Sequence, residues 1–137
     1  MKYLLDTNII IYFLKGKFPS ILGKLSLINP SKIAISSIAL AELEYGAYKS
    51  KEYERRKSLF WNFARHFSVL DFDKNATKEY GRIRADLENR GELIGGNDML
   101  IAAIALSNNC VLVTHNEKEF SRIENLSIED WTNPTQL

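Results

Sequence analysis

The chain reads as an α/β protein, a three-layer α/β/α sandwich around a mainly parallel sheet. Three observations predict this. Short β-rich segments alternate with longer helical ones, Gly, Pro, Ser and Asn stand at the joints, and no repeat or low-complexity tract interrupts the alternation. Two candidate strands, Ile33-Ala34-Ile35 and Val111-Leu112-Val113, are apolar without a period of two, as expected of strands covered by helices on both faces. Parallel strands also need connections long enough for a crossover helix, and nearly every candidate strand is followed by one. The length of 137 residues matches the commonest domain size, so residues 1–137 are expected to form a single domain.

Taken in order, residues 2–6 form the first strand, and Asp6 stands where an N-cap would start a helix over 7–15. A helix over 20–27 follows. The joint Asn29-Pro30-Ser31 leads into a second strand over 32–36, and Ser37 opens a helix over 37–49. A further helix covers 52–66, a third strand 68–72, and a helix 74–89. Gly95-Gly96 precedes a helix over 97–108 that is apolar nearly all round, which marks it as buried. Residues 110–114 form the fourth strand, and 126–129 a weaker fifth.

Composition narrows the function. The longest apolar runs, 99–106 and 9–14, fall far short of the roughly 20 residues of a membrane span. The N-terminus lacks the pattern of a secretory leader, because Asp6 interrupts it. A cytoplasmic protein with no membrane association is expected. Cys110 is the single cysteine, in an apolar stretch that suits a buried thiol, and two histidines are too few for a His-based zinc site. A net charge of +1 excludes coating of nucleic acid by bulk electrostatics.

In open parallel sheets, ligands sit beyond the carboxyl ends of the strands. Those ends carry oxygen donors. Asp6 closes the first strand and Ser36-Ser37 the second; Thr114-His115-Asn116 closes the fourth, with Glu117 and Glu119 just beyond. In the helix 37–49, Glu42 shares a face with Ile38, Tyr45 and Gly46, and Glu44 lies between Leu40 and Tyr48. Both acids have apolar neighbours, so one of them is expected in the site, and helical geometry leaves the choice open. Asp98 opens the buried helix directly after the glycine pair. Acids gathered at one edge repel one another unless a cation intervenes. Hard oxygen donors without Cys or His select Mg²⁺ or Mn²⁺, which suits phosphodiester chemistry.

These residues carry a family resemblance. Leu4-Leu5-Asp6-Thr7-Asn8, the run Ile35-Ser36-Ser37-Ile38-Ala39-Leu40-Ala41-Glu42-Leu43-Glu44-Tyr45-Gly46, then Asn97-Asp98-Met99-Leu100-Ile101-Ala102, the run Leu112-Val113-Thr114-His115-Asn116-Glu117-Lys118-Glu119-Phe120 and Ile128-Glu129-Asp130-Trp131 occur in that order. Together they resemble a PIN domain, and within that superfamily the VapC toxins of bacterial toxin/antitoxin pairs. The resemblance implies a metal-dependent endoribonuclease leaving a 5′-phosphate and a 3′-hydroxyl. It implies that Asp6, Glu42 and Asp98 occupy three invariant acidic positions, and so picks Glu42 over Glu44. Many relatives have acids where Asn116 and Glu119 stand. Here Glu119 is the expected fourth carboxylate, Asn116 a neutral ligand or water-holder, and Thr114 a hydroxyl donor; Thr7, Asn8 and Ser36 complete the supporting set. Asp6 and Asp98 would hold Mg²⁺ directly, Glu42 and Glu119 through water.

For partners, the resemblance implies structured RNA as substrate, the anticodon stem-loop of initiator tRNA foremost. It also implies a homodimer, and a VapB antitoxin that covers the cleft in a larger assembly. Segments 21–27 and 59–63 are expected to form the antitoxin groove. Candidate RNA contacts are Lys15, Lys17, Lys49, Lys51, the run Arg55-Arg56-Lys57, Arg82, Arg84 and Arg90, with Arg82 and Asp86 able to pair along a helix. Two alternatives are weighed. A Mg²⁺-dependent phosphatase or phosphoacceptor would want an Asp at Asn8 and a Lys at the end of the fourth strand. A catalytically weak PIN module that only binds RNA or a partner fits poorly with acids at three positions.

Overall fold

The fold is known from a computed structural model that describes residues 2–134; Met1 and residues 135–137 of the expected single domain lie outside them. The elements run β1 (Lys2–Leu5), α1 (Thr7–Leu14), α2 (Pro19–Leu27), a 3₁₀ turn (Pro30–Lys32), β2 (Ile33–Ser36), α3 (Ser37–Lys49), α4 (Tyr53–Ala64), β3 (Ser68–Leu70), α5 (Lys74–Asn89), α6 (Gly96–Ser107), β4 (Cys110–Val113), α7 (Glu117–Phe120) and β5 (Ile128–Glu129). The five strands are ordered β3-β2-β1-β4-β5, and all four pairings are parallel. This is the expected three-layer sandwich.

Alternate strand residues point to opposite faces, and each face has its own apolar layer. Leu4, Ala34 and Leu112 pack with α5 and α6, while Leu5, Ile35 and Val113 pack with α1, α3 and α4. Both sides being covered explains why Ile33-Ala34-Ile35 and Val111-Leu112-Val113 do not alternate. Ala102, Ala103 and Ala105 are fully buried on α6, and their small side chains let that helix lie close against its neighbours. Cys110 is a buried free thiol.

Topology places the site. From β1 the chain adds β2 and β3 outward, then returns to lay β4 on the other side of β1. The strand order therefore reverses between β1 and β4, and the crevice beyond their carboxyl ends is where such sheets bind ligands. Leu5 aligns with Val113, and the Asp6 backbone N–H donates to the Val113 carbonyl at 2.9 Å, so Asp6 and Thr114 emerge side by side.

Several boundaries differ from expectation. The first and fourth strands end one residue early, at Leu5 and Val113, although the Asp6 and Thr114 backbone N–H groups still donate to the Val113 and Glu129 carbonyls, and the third stops at Leu70. Phe72 lies beyond it, its ring 6.0 Å from Tyr80. The short helix α7 had no periodic signal of its own; buried Phe120 anchors it. Arg82 pairs with Glu79 rather than Asp86, which is taken by Arg90. Gly91 follows α5 at φ 66°, a left-handed stop that glycine adopts without strain.

Candidate active site

Asp6 is the structural centre of the crevice. Its Oδ1 accepts from the Thr7 backbone N–H at 2.8 Å, which caps α1, and its Oδ2 accepts from Thr114 Oγ1 at 2.9 Å. Thr114 Oγ1 in turn accepts from the Asn116 backbone N–H at 3.0 Å. Both carboxylate oxygens are thus fixed, and Asp6 and Thr114 are buried. The Thr7 hydroxyl donates to Glu42 Oε1 at 2.7 Å, linking the first turn of α1 to α3 across 35 positions of sequence.

Ser36 has a different task from the one expected. Its Oγ accepts from the Ala39 backbone N–H at 2.9 Å, so it caps α3 and sets the angle at which that helix presents Glu42. Asn8 is exposed in the first turn of α1. Asn116 occupies the N-cap position of α7 without a side-chain cap bond, and Glu119 is the third residue of that helix.

The choice between Glu42 and Glu44 now has a physical basis. Glu44 Oε2 accepts from Tyr53 Oη at 3.1 Å and its Oε1 from Trp61 Nε1 at 3.0 Å. Glu44 therefore ties α4 to α3. Glu42 turns toward the crevice and Thr7.

The electrostatics of Asp98 draw the acids together. Its carboxyl is pushed up to about 6, first by burial and then by the negative charges of Asp6, Glu42 and Glu119. Asp6 is raised as well, by burial above all, against the opposing hydrogen bonds from Thr114 and Thr7. Gly95, directly ahead of α6, lies beside Asp98: a Cβ there would sit 3.4 Å from Asp98 Oδ2, in ordinary contact. Among the described residues, no three carboxylate, imidazole or thiol groups form a ready-made cage for an ion. An oxygen-only set of like charges without a closed cage suits a hard dication that keeps waters and substrate oxygens in its shell.

A cleft runs from Glu42 between α1, α3 and α4, walled by Ile11, Leu14, Leu43 and Phe60, with Lys15 and Arg56 on its lining. Of the segments 21–27 and 59–63, Leu59 and Phe60 line this cleft; α2 lies outside it, with Ile21 buried in the core and Leu22 and Leu27 exposed. Of the many basic residues in the sequence, Lys15 and Arg56 are the two that share this cleft with Glu42. No local signal singles them out, since 41 positions separate them.

The PIN domain family matches residues 3–126. The chain belongs to the PIN-domain family. This PIN domain is 46% identical over 132 residues to Ribonuclease VapC2 of Rickettsia felis, covering 96% of the chain and 98% of the relative. It is 43% identical over 131 residues to the tRNA(fMet)-specific endonuclease VapC of Salmonella typhimurium, covering 96% and 98%. Among solved structures, VapBC2 of Rickettsia felis bound to a DNA fragment from its promoter matches with a TM-score of 0.90 at 44% identity, covering 96% of this chain and 99% of that one. Such likeness makes this PIN domain a VapC-type endoribonuclease and sets the phosphatase and phosphoacceptor alternatives aside. No helix among the described residues is long and apolar enough to cross a membrane.

Proposed function

We propose that this PIN domain hydrolyses a phosphodiester of tRNA, with initiator tRNA as the favoured substrate. It acts in the cytoplasm as a homodimer and is silenced by a VapB-type antitoxin in a larger assembly. The observation that carries the proposal is the gathering of acids at the point where the sheet reverses: Asp6 is held by Thr7 and Thr114, Glu42 by the Thr7 hydroxyl, and Asp98 lies close enough to Asp6, Glu42 and Glu119 to feel their charge. The named activity of the Salmonella typhimurium relative supports tRNA as substrate, and so does that of Shigella flexneri, a tRNA(fMet)-specific endonuclease VapC 41% identical over 132 residues. Solved VapBC complexes support the antitoxin, and the apolar cleft ending at Glu42 suits a peptide segment.

Asp6 and Asp98 would hold Mg²⁺ or Mn²⁺ directly, Glu42 and Glu119 through water. When bound, the ion supplies Lewis-acid polarisation of the phosphate and acidifies a coordinated water. The chain's own residues do the rest. Asp6 is immobilised by Thr7 and Thr114, so the ion's seat is set before substrate arrives. Glu42, oriented by the Thr7 hydroxyl, accepts the proton of the attacking water as its oxygen bonds to phosphorus. The bond from phosphorus to the 3′-oxygen breaks, and that oxygen takes a proton from solvent water to leave as a hydroxyl. Lys15 and Arg56 offer positive charge to flanking phosphates along the cleft.

Two variants separate these roles. Thr7→Val removes the hydroxyl that aims Glu42 and is expected to lower kcat about 10- to 100-fold, as loss of a supporting contact to a metal-site acid does; Thr7→Ser restores it. Glu44→Ala leaves cleavage within about twofold and weakens the α3–α4 contact by about 1 kcal/mol, read by cleavage assay and thermal melting. The function is tested by sequencing RNA ends after inducing the protein with and without Asp6→Ala. Discrete new 5′-phosphate ends in tRNA are expected only with Asp6 intact; ends independent of Asp6 would overturn the proposal.

A further inference from the structure

A second constructed feature stands at the same sheet edge, outside the acids. His115 directly follows Thr114, the residue that holds Asp6. Its Nδ1 lies 2.9 Å from Asp130 Oδ2 and 2.9 Å from Thr132 Oγ1. Thr132 donates to Asp130 Oδ1 twice, from Oγ1 at 2.6 Å and from its backbone N–H at 2.9 Å. The threonine hydrogen is therefore committed to Asp130, and Nδ1–H is the proton shared with both oxygens. Burial by itself would raise the carboxyl of Asp130, but the hydrogen bonds from Thr132 and His115 more than offset it, so the carboxylate stays charged. This fixes the ring plane and leaves Nε2 as the open nitrogen of a side chain that is 50% exposed.

Two aromatic rings flank it. Phe18 lies 5.8 Å and Tyr12 6.1 Å from the imidazole, and they lie 5.1 Å from each other. Phe18 is 37% exposed, and its backbone holds φ 53°, a left-handed conformation that a bulky residue adopts only when its surroundings impose it. Lys15 and Lys17 stand on the same loop as Phe18, both exposed. A mere clamp between the segments after β4 and β5 needs only Nδ1. It needs neither an open Nε2 nor a strained aromatic beside it.

We propose that His115, Phe18 and Tyr12 form a nucleotide subsite for the strand being cut. A base flanking the scissile bond stacks on the exposed Phe18 ring, and His115, protonated on both nitrogens against the phosphate, donates from Nε2–H to the adjoining phosphate oxygen, with Lys15 and Lys17 supplying the surrounding charge. Asp130 and Thr132 are positioning residues that act through the imidazole. The proposal rests on the ribonuclease reading and adds a residue set that decides which nucleotide is accepted beside the cut.

The test uses the full chain and a fluorescein-labelled anticodon stem-loop of initiator tRNA. Kd is measured in EDTA, and kcat and KM with Mg²⁺. His115→Asn keeps a donor for Asp130 but removes Nε2 and the ring; Phe18→Gly removes the ring and relieves the backbone. Each is expected to raise Kd and KM about tenfold, with far less change in kcat and no loss of melting temperature, because stacking and phosphate contacts bind ground and transition states alike. His115→Gln, which carries an amide near the Nε2 position, recovers part of the affinity. Wild-type Kd and KM in both His115→Asn and Phe18→Gly would overturn the subsite while leaving the nuclease assignment intact. A wild-type protein that cuts no RNA at all would instead strike at the ribonuclease reading, and the subsite with it.

Discussion

Asp98→Asn is expected to abolish RNA cleavage, by about a thousandfold or more, while leaving the fold at least as stable in metal-free buffer. The loss follows from replacing a charged oxygen donor with a weak neutral one where negative charge must face a dication. The stability gain follows from the raised carboxyl. Its pKa of about 6 in the fold lies above the unfolded value near 3.9. The native state thus binds more protons than the unfolded state between these limits, and its stability falls as pH rises through that window. The variant lacks this slope. The melting temperature of Asp98→Asn minus that of wild type should be near zero below pH 4, grow between about pH 4 and 6, and level off above. Thermal melts in EDTA at a series of pH values test it, and a flat difference would show that Asp98 is not strained by its acidic neighbours.

Trp131→Ala should be the most damaging change for the fold itself. The indole is 1% exposed and packs with Leu5, Ile9 and Val113. Its ring lies 5.5 Å from Tyr3, and Nε1 donates to Glu129 Oε1 at 2.9 Å. Truncation of such a side chain costs about 3–5 kcal/mol, a large share of the 5–15 kcal/mol that typically holds a domain together. A fall in melting temperature of about 10–20 °C is expected, measured by calorimetry. Trp131→Phe keeps most of the packing and loses only the bond to Glu129, so it should fall by less than half as much.

The legible parts of this protein are those whose signal is local. Unbroken apolar strands announced a sheet covered on both sides, and acids at strand ends announced the crevice. What stayed hidden depends on contacts between distant residues. Glu42 and Glu44 have equally apolar helical neighbours, and only Thr7, 35 positions from Glu42, and Tyr53 and Trp61, 9 and 17 positions from Glu44, assign their tasks. Ser36 looked like an oxygen donor at a strand end and proved to be a helix cap, because the β-to-α turn places its hydroxyl over the Ala39 amide. Which apolar residues of α2 the core takes is hidden for a related reason: Ile21 is buried while Leu22 and Leu27 stay exposed, and the sequence does not distinguish them. The link from His115 to Asp130 and Thr132 has no pattern at all, since it joins a strand end to the segment after the edge strand.

The bond from Thr114 to Asp6 spans 108 positions and crosses between β1 and β4, the two strands at which the sheet reverses its order. Asp6 therefore keeps its orientation only while β4 lies against β1, and whatever parts those two strands releases the first acid of the site along with the centre of the sheet.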